Sequence, residues 1–184
     1  MNWKELWPVR ALFGTGGVKE SALALYSTAV VQARRPLLYM DYAVPDSLDG
    51  RFDMVSLHVF LLLRRLRAEG SAAQPLSRAL AELMFDDMDQ SLREMGVGDM
   101  GVGKRVRHMA EAFYGRMAAY DTALAEGPEA FESALARNVY RGVEPDPAKL
   151  AGLAGYVRRQ MVVLEAQPYA DLAKGRVNYG EERA

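Results

Sequence analysis

Three groups of residues in this 184-residue chain have types and spacings capable of chemistry. Gly98-Asp-Met-Gly-Val-Gly103-Lys104 matches the first seven positions of a phosphate-binding loop, in which backbone amides and a lysine cradle the phosphates of a nucleotide. The eighth position is Arg105, where Ser or Thr must hold magnesium, and the preceding residues read as helix instead of the strand that fixes such a loop. A glycine-rich connection between two helices is the preferred reading, with Lys104 and Arg105 at a helix start able to attract a stray anion. Asp86, Asp87 and Asp89, with Glu82 and Glu94 nearby, suggest metal ligands. A helical dimetal site takes Glu-x-x-His pairs, however, and neither His58 nor His108 follows a Glu at that spacing. Ser56 and Ser91 have no evident base and orienting partner for nucleophilic catalysis. No catalytic, metal or cofactor constellation is complete, so neither enzymatic activity nor a bound cofactor is expected.

The carboxylates still differ from one another. At 100° per residue Asp86 and Asp89 lean to the solvent side of their helix, whereas Asp87 falls between Leu80 and Leu83 on its apolar side. A carboxylate facing a core is costly unless paired, so Asp87 is expected to be buried with a basic partner among Arg51, His58, Arg65 or His108. His58 and Arg65, seven residues apart on one side of the same helix, are the preferred candidates. A structural pair is favoured over a ligand site, because structural networks also perturb titrating groups. Elsewhere, Ala112, Gly115 and Ala119 make a small-residue surface that either packs within the fold or receives a helix from another molecule. Arg64, Arg65, Arg67, Arg105 and Arg107 concentrate positive charge, yet without the aromatic interleaving used for single-stranded RNA, and DNA is not an expected partner.

The elements that position these residues are helices. Half of the residues are apolar, enough for one compact domain. The formal charge of −1 gives no overall field toward nucleic acid or anionic lipid. Cysteine is absent, which removes disulfides and thiolate chemistry. Every long apolar pattern has the 3.6-residue period, predicting a single all-α domain of about six main helices, at roughly 18–35, 51–69, 75–95, 104–125, a shorter fifth around Phe131 to Val139, and 148–166. The second, apolar on two sides, is the expected central element, and Asp46 or Asp49 is expected to cap it. Residues 1–17 form an N-terminal segment, docked or flexible, whose Trp3, Leu6, Trp7, Val9, Leu12 and Phe13 could cover the domain, a partner or the membrane surface, with docking on the domain the preferred reading. Residues 18–167 are the helical domain, and 168–184 a tail with a short turn or helix and a loose end. Met1 to Phe13 carries Glu5 and Pro8 and no cleavage pattern, and the most apolar window, Leu57 to Leu66, is too short to span a bilayer, so a soluble protein is expected.

Several segments carry a likeness. Val44-Pro-Asp-Ser-Leu-Asp-Gly-Arg-Phe-Asp-Met54, Met84-Phe-Asp-Asp-Met-Asp-Gln-Ser-Leu-Arg-Glu-Met-Gly-Val-Gly-Asp99 and Ala112-Phe-Tyr-Gly-Arg116 resemble the ubiquinol-cytochrome c chaperone family, as do Ala33-Arg34-Arg35-Pro36, Leu57-His58, Arg65-Leu66 and Arg137-Asn138-Val139-Tyr140. The resemblance covers roughly residues 20–142. It implies a non-catalytic factor that helps assemble the cytochrome bc1 complex, with cytochrome b or other bc1 subunits as clients. For the mitochondrial members it further implies a matrix-side location, a small assembly partner and association with the ribosome. Without an organelle-targeting extension this chain resembles a bacterial member, expected in the cytoplasm with peripheral contact at the inner face of the plasma membrane. Within the recognised segments, the solvent-facing polar residues Tyr42, Asp46, Arg51, Asp86, Asp89 and Arg93 are the candidate partner-binding set, since core packing explains them poorly. The alternative is a helical protein that binds a lipid or quinone in an interhelical pocket without catalysis.

Overall fold

The computed structural model describes residues 16–96 and 98–180, and the expected docking of Trp3 to Phe13 lies outside them. These residues form an all-α fold of eight helices: α1 (Gly16–Ala33), α2 (Pro36–Met40), α3 (Leu48–Arg67), α4 (Gln74–Glu94), α5 (Asp99–Glu126), α6 (Pro128–Val139), α7 (Pro147–Glu165) and α8 (Tyr169–Leu172). Six are long, as the apolar periodicity predicts. Proline opens α2, α4, α6 and α7 at or next to the first helical position, where its missing N–H costs nothing.

α3 is central. It buries both of its sides, from Met54 through Leu57, Phe60 and Leu61 to Leu66, and contacts α1, α4, α6 and α7. α1 lies along α3 and α4 on the row Ala22, Leu25, Tyr26, Ala29 and Ala33, whose small members let the helix axes approach. α5 packs on α4 and α6, with Phe113 meeting Phe85 edge-on at 5.8 Å between ring centroids.

Three local features depart from the sequence reading. The helical cap of α3 is Ser47, whose hydroxyl accepts from the Gly50 amide at 3.1 Å, in place of Asp46 or Asp49. Asp46 is drawn away by Arg51 at 2.6 Å. The glycines after Met95 do not form a long break, because α5 begins at Asp99 and takes Gly101 and Gly103 into its first turns. The tail beyond α8 is not loose as far as Gly180: Ser21 donates to the Ala173 carbonyl at 2.9 Å, and Gln167 and Gln160 bond the backbones of Asn178 and Gly180. Tyr179, nearly buried, donates to the His58 carbonyl at 3.2 Å.

His58 anchors this end of the core. The Met54 carbonyl can only accept, so Nδ1 at 2.7 Å carries the proton; Nε2 then accepts from the Tyr156 hydroxyl at 2.7 Å, and that oxygen in turn accepts from Gln32 Nε2 at 3.0 Å. The chain is fully satisfied only with a neutral ring, and burial holds the His58 pKa down from 6.5 to about 4. The folded-state value lies below the unfolded one, so the stabilisation is complete above pH 6.5 and is lost as the pH falls through about 4. An NMR titration should find the His58 ring neutral throughout that window, while urea unfolding shows stability dropping by up to about 3 kcal/mol across it. A ring that protonates near 6.5 in the folded protein contradicts this account.

Candidate client-binding groove

The sequence-selected polar residues fall in three places. Tyr42 belongs to the core and not to a recognition surface: it is buried, its ring lies 6.0 Å from that of Tyr156, and its carbonyl accepts from the Tyr140 hydroxyl at 2.6 Å. Asp86 and Arg93 are exposed on α4, where Arg93 pairs with half-buried Asp89 at 2.5 Å. Asp46 and Arg51 pair at the start of α3.

The expected buried pair does not form. Asp87 is exposed and accepts from the Tyr26 hydroxyl at 2.7 Å, so its partner is a phenol on α1 and not a base. The reason lies in the phase of α4. Its buried row runs Leu76, Leu80, Met84, Met88 and Leu92 in steps of four, and each step precesses about 40°, carrying the buried direction away from Asp87. Burial and the bond to Asp87 push the Tyr26 pKa far up, so the phenol remains a donor. His58 and Arg65 do share one side of α3, but they meet α7 instead of α4. Arg65 bonds the carbonyls of Leu164 at 3.0 Å and Gln167 at 2.8 Å, supplying donors to the C-terminal end of α7.

The buried carboxylate is Asp53, on the first turns of α3. Arg141 grips it with Nε at 2.5 Å and Nη2 at 2.7 Å, and Arg116 of α5 donates to the same carboxylate. Both guanidinium groups are permanently charged and donate only, so Asp53 accepts as an anion. Burial pushes its pKa up and the two arginines oppose that rise, while Asp53 in turn holds the Arg141 pKa up. Arg141 also reaches Asp49 at 3.1 Å, and Arg116 lies 5.7 Å from the centroid of the Phe52 ring. Asp53 stands within a recognised run, and the sequence signal for it was an acidic residue one turn ahead of the most apolar stretch of the chain.

Above this clamp lies a groove of about 670 Å³ that is partly open to solvent. Its walls are the start of α3, the second half of α4, the first half of α5 and the end of α1. Arg34, Phe52, Met88 and Ala112 each come from a different one of the recognised segments, and Arg116 and Arg141 join them from below. At the back of α5, Gly115 is exposed with open space where a side chain would stand, so the small-residue surface has no internal partner there.

Residues 40–179 match the family model described as ubiquinol-cytochrome C chaperone, more than half of the chain. The protein belongs to that family. Among curated relatives it is 30% identical over 155 residues to the ubiquinol-cytochrome-c reductase complex assembly factor 1 of Xenopus laevis, covering 84% of this chain and 78% of the frog protein. It is 28% identical to the factor of the same description from Mus musculus, of which it spans about half, 52%. The crystal structure of the Cbp3 homolog from Brucella abortus superposes with a TM-score of 0.80 and 37% identity, covering 90% of this chain and 91% of that one. The family is one of assembly chaperones, a non-catalytic role. No helix among the described residues is long and apolar enough to cross a membrane.

Removing Asp53 should be severe. Asp53→Ala leaves Arg116 without its carboxylate and Arg141 with only Asp49, and should lower stability by about 3 kcal/mol in chemical denaturation. Arg51→Ala, which breaks only an exposed pair, should cost far less. Equal losses for the two variants would remove Asp53 from its structural role.

Proposed function

We propose that this protein is an assembly chaperone of the ubiquinol-cytochrome c reductase complex that holds cytochrome b, before or during its incorporation, through the groove above Asp53. One observation carries the reading: segments that are far apart in sequence, and that match the family, converge on this single surface. Core packing accounts for Phe113 or Leu57, but it does not account for Arg34, Leu48 or Met95 at a solvent-facing rim. The Asp46–Arg51 pair and the exposed edge of α4 with Asp86, Asp89 and Arg93 flank the groove and extend the recognition surface. Binding and release are then the whole activity, and the expected place of work is the cytoplasmic face of the membrane that receives the complex.

Deleting the gene in its native host should lower assembled bc1 complex and its cytochrome b several-fold without a matching fall in their transcripts. A plasmid copy of the wild-type protein should restore both. Blue-native gels with immunodetection and transcript quantification make the measurement. Normal bc1 levels in the deletion strain would sink the assignment.

A further inference from the structure

The charge left unpaired on the groove lining is positive. The carboxylates that line the groove are engaged by this chain, Asp49 by Arg141 and Asp87 by Tyr26, and Asp46 and Asp53 beside it pair with Arg51 and with Arg116 and Arg141. The cations are not all engaged. Arg34 and Arg105 line the groove, are exposed, and enter no ion pair among the described residues. This excess is local, because the whole chain is formally −1. Between these two arginines and the clamp, the lining is apolar and adaptable. Leu48 and Met95 are 65% and 51% exposed, half-buried Met109 adds another flexible side chain, and Met88 reaches the groove from the core.

We infer that the groove takes a polypeptide segment in which carboxylates flank apolar side chains, an inference that rests on the groove being the client site. The carboxylates meet Arg34 and Arg105, whose planar forks suit bidentate contact. The apolar side chains cover Leu48 and Met95, and the methionines adjust to whichever side chains arrive, as Met-rich binding surfaces do. Two other occupants fit less well. A lipid or quinone site typically encloses about 70–90% of its ligand, whereas this groove is partly open to solvent and rimmed by exposed arginines. A second copy related by a two-fold axis would present the same surface, setting Arg34 and Arg105 against their own equivalents.

The test uses the full-length protein on an array of overlapping peptides that tile cytochrome b and the other bc1 subunits of the same host. Retained peptides should carry Asp or Glu beside apolar residues. Binding should fall about tenfold, a difference of about 1.4 kcal/mol, in the Arg34→Glu, Arg105→Glu double variant and should weaken with added salt. Lys174→Glu, an exposed charge reversal on the tail, should bind as wild type. Retention of basic or uncharged peptides, or equal binding by the double variant, overturns the inference. So does arginine-dependent retention of phosphatidylglycerol vesicles in preference to peptides, or a dimer that the double variant dissolves. An array that retains nothing also overturns it. The bc1 level in the deletion strain decides the assembly role separately, so failure of one reading is distinguishable from failure of the other.

Discussion

A carboxylate with no exposed surface, placed on the first turns of the central helix, can remain charged only if the fold brings cations to it. Losing water costs an ion several kcal/mol, and one partner at the edge of the core rarely repays that. Asp53 therefore needs both Arg116 and Arg141, which lie 63 and 88 residues further along the chain. Meeting that need brings α5 and the turn after α6 to the start of α3. Arg141 itself sits at φ 45°, a left-handed conformation that costs a non-glycine residue about 1–2 kcal/mol. Its bonds to Asp53 and Asp49 offset that cost and hold the turn in place. The floor of the groove is thus a consequence of satisfying one buried charge.

The opposite end of the core is built without net charge. His58, Tyr156 and Gln32 pass hydrogen bonds along a neutral chain, and the tail closes over them through Tyr179. Arg65 is the exception there, and it is consumed by carbonyls and by Glu69 at 2.7 Å. The loop that joins the two ends is fixed sterically. A Cβ on Gly50 would stand 2.0 Å from the Pro45 carbonyl oxygen, so only glycine lets residues 44–50 fold tightly enough to deliver Asp53 to its partners. Charge is retained at one end and neutralised at the other.

Helix number, the central position of α3 and the buried row of α1 were legible because burial imposes a 3.6-residue period over long stretches. The polar residues were less so. Asp87 was misplaced because a helical wheel assumes one fixed core direction, whereas the neighbours of α4 pull its buried row around in steps of four. Tyr42 was misplaced because a loop residue reads as exposed, and nothing local reveals that Gly152 on α7 leaves space for its ring. Asp53 is not legible locally, because its meaning depends on two arginines that no periodicity connects to it. Arg116 closes one recognised segment and Arg141 directly follows another, so their meeting at Asp53 is a matter of tertiary contact.

The same distinction bears on how a chaperone can release what it holds. A preorganised, closed pocket gains affinity by avoiding the cost of ordering its side chains, and it would retain a subunit that must pass on to a growing complex. Here the rigid parts lie beneath the groove: Asp53 with its arginines, and the edge-on Phe85–Phe113 contact that joins α4 to α5. The parts that face outward are Met95, a solvent-exposed leucine and arginines on flexible stems. These must lose rotamer freedom on binding, at about 1.5–2 kcal/mol for each long side chain. Solvent screens much of the attraction that the exposed guanidinium groups offer. If the groove is the client site proposed above, a firm floor with a costly-to-order rim gives a defined binding position and a modest lifetime, the two properties that handing on a subunit requires.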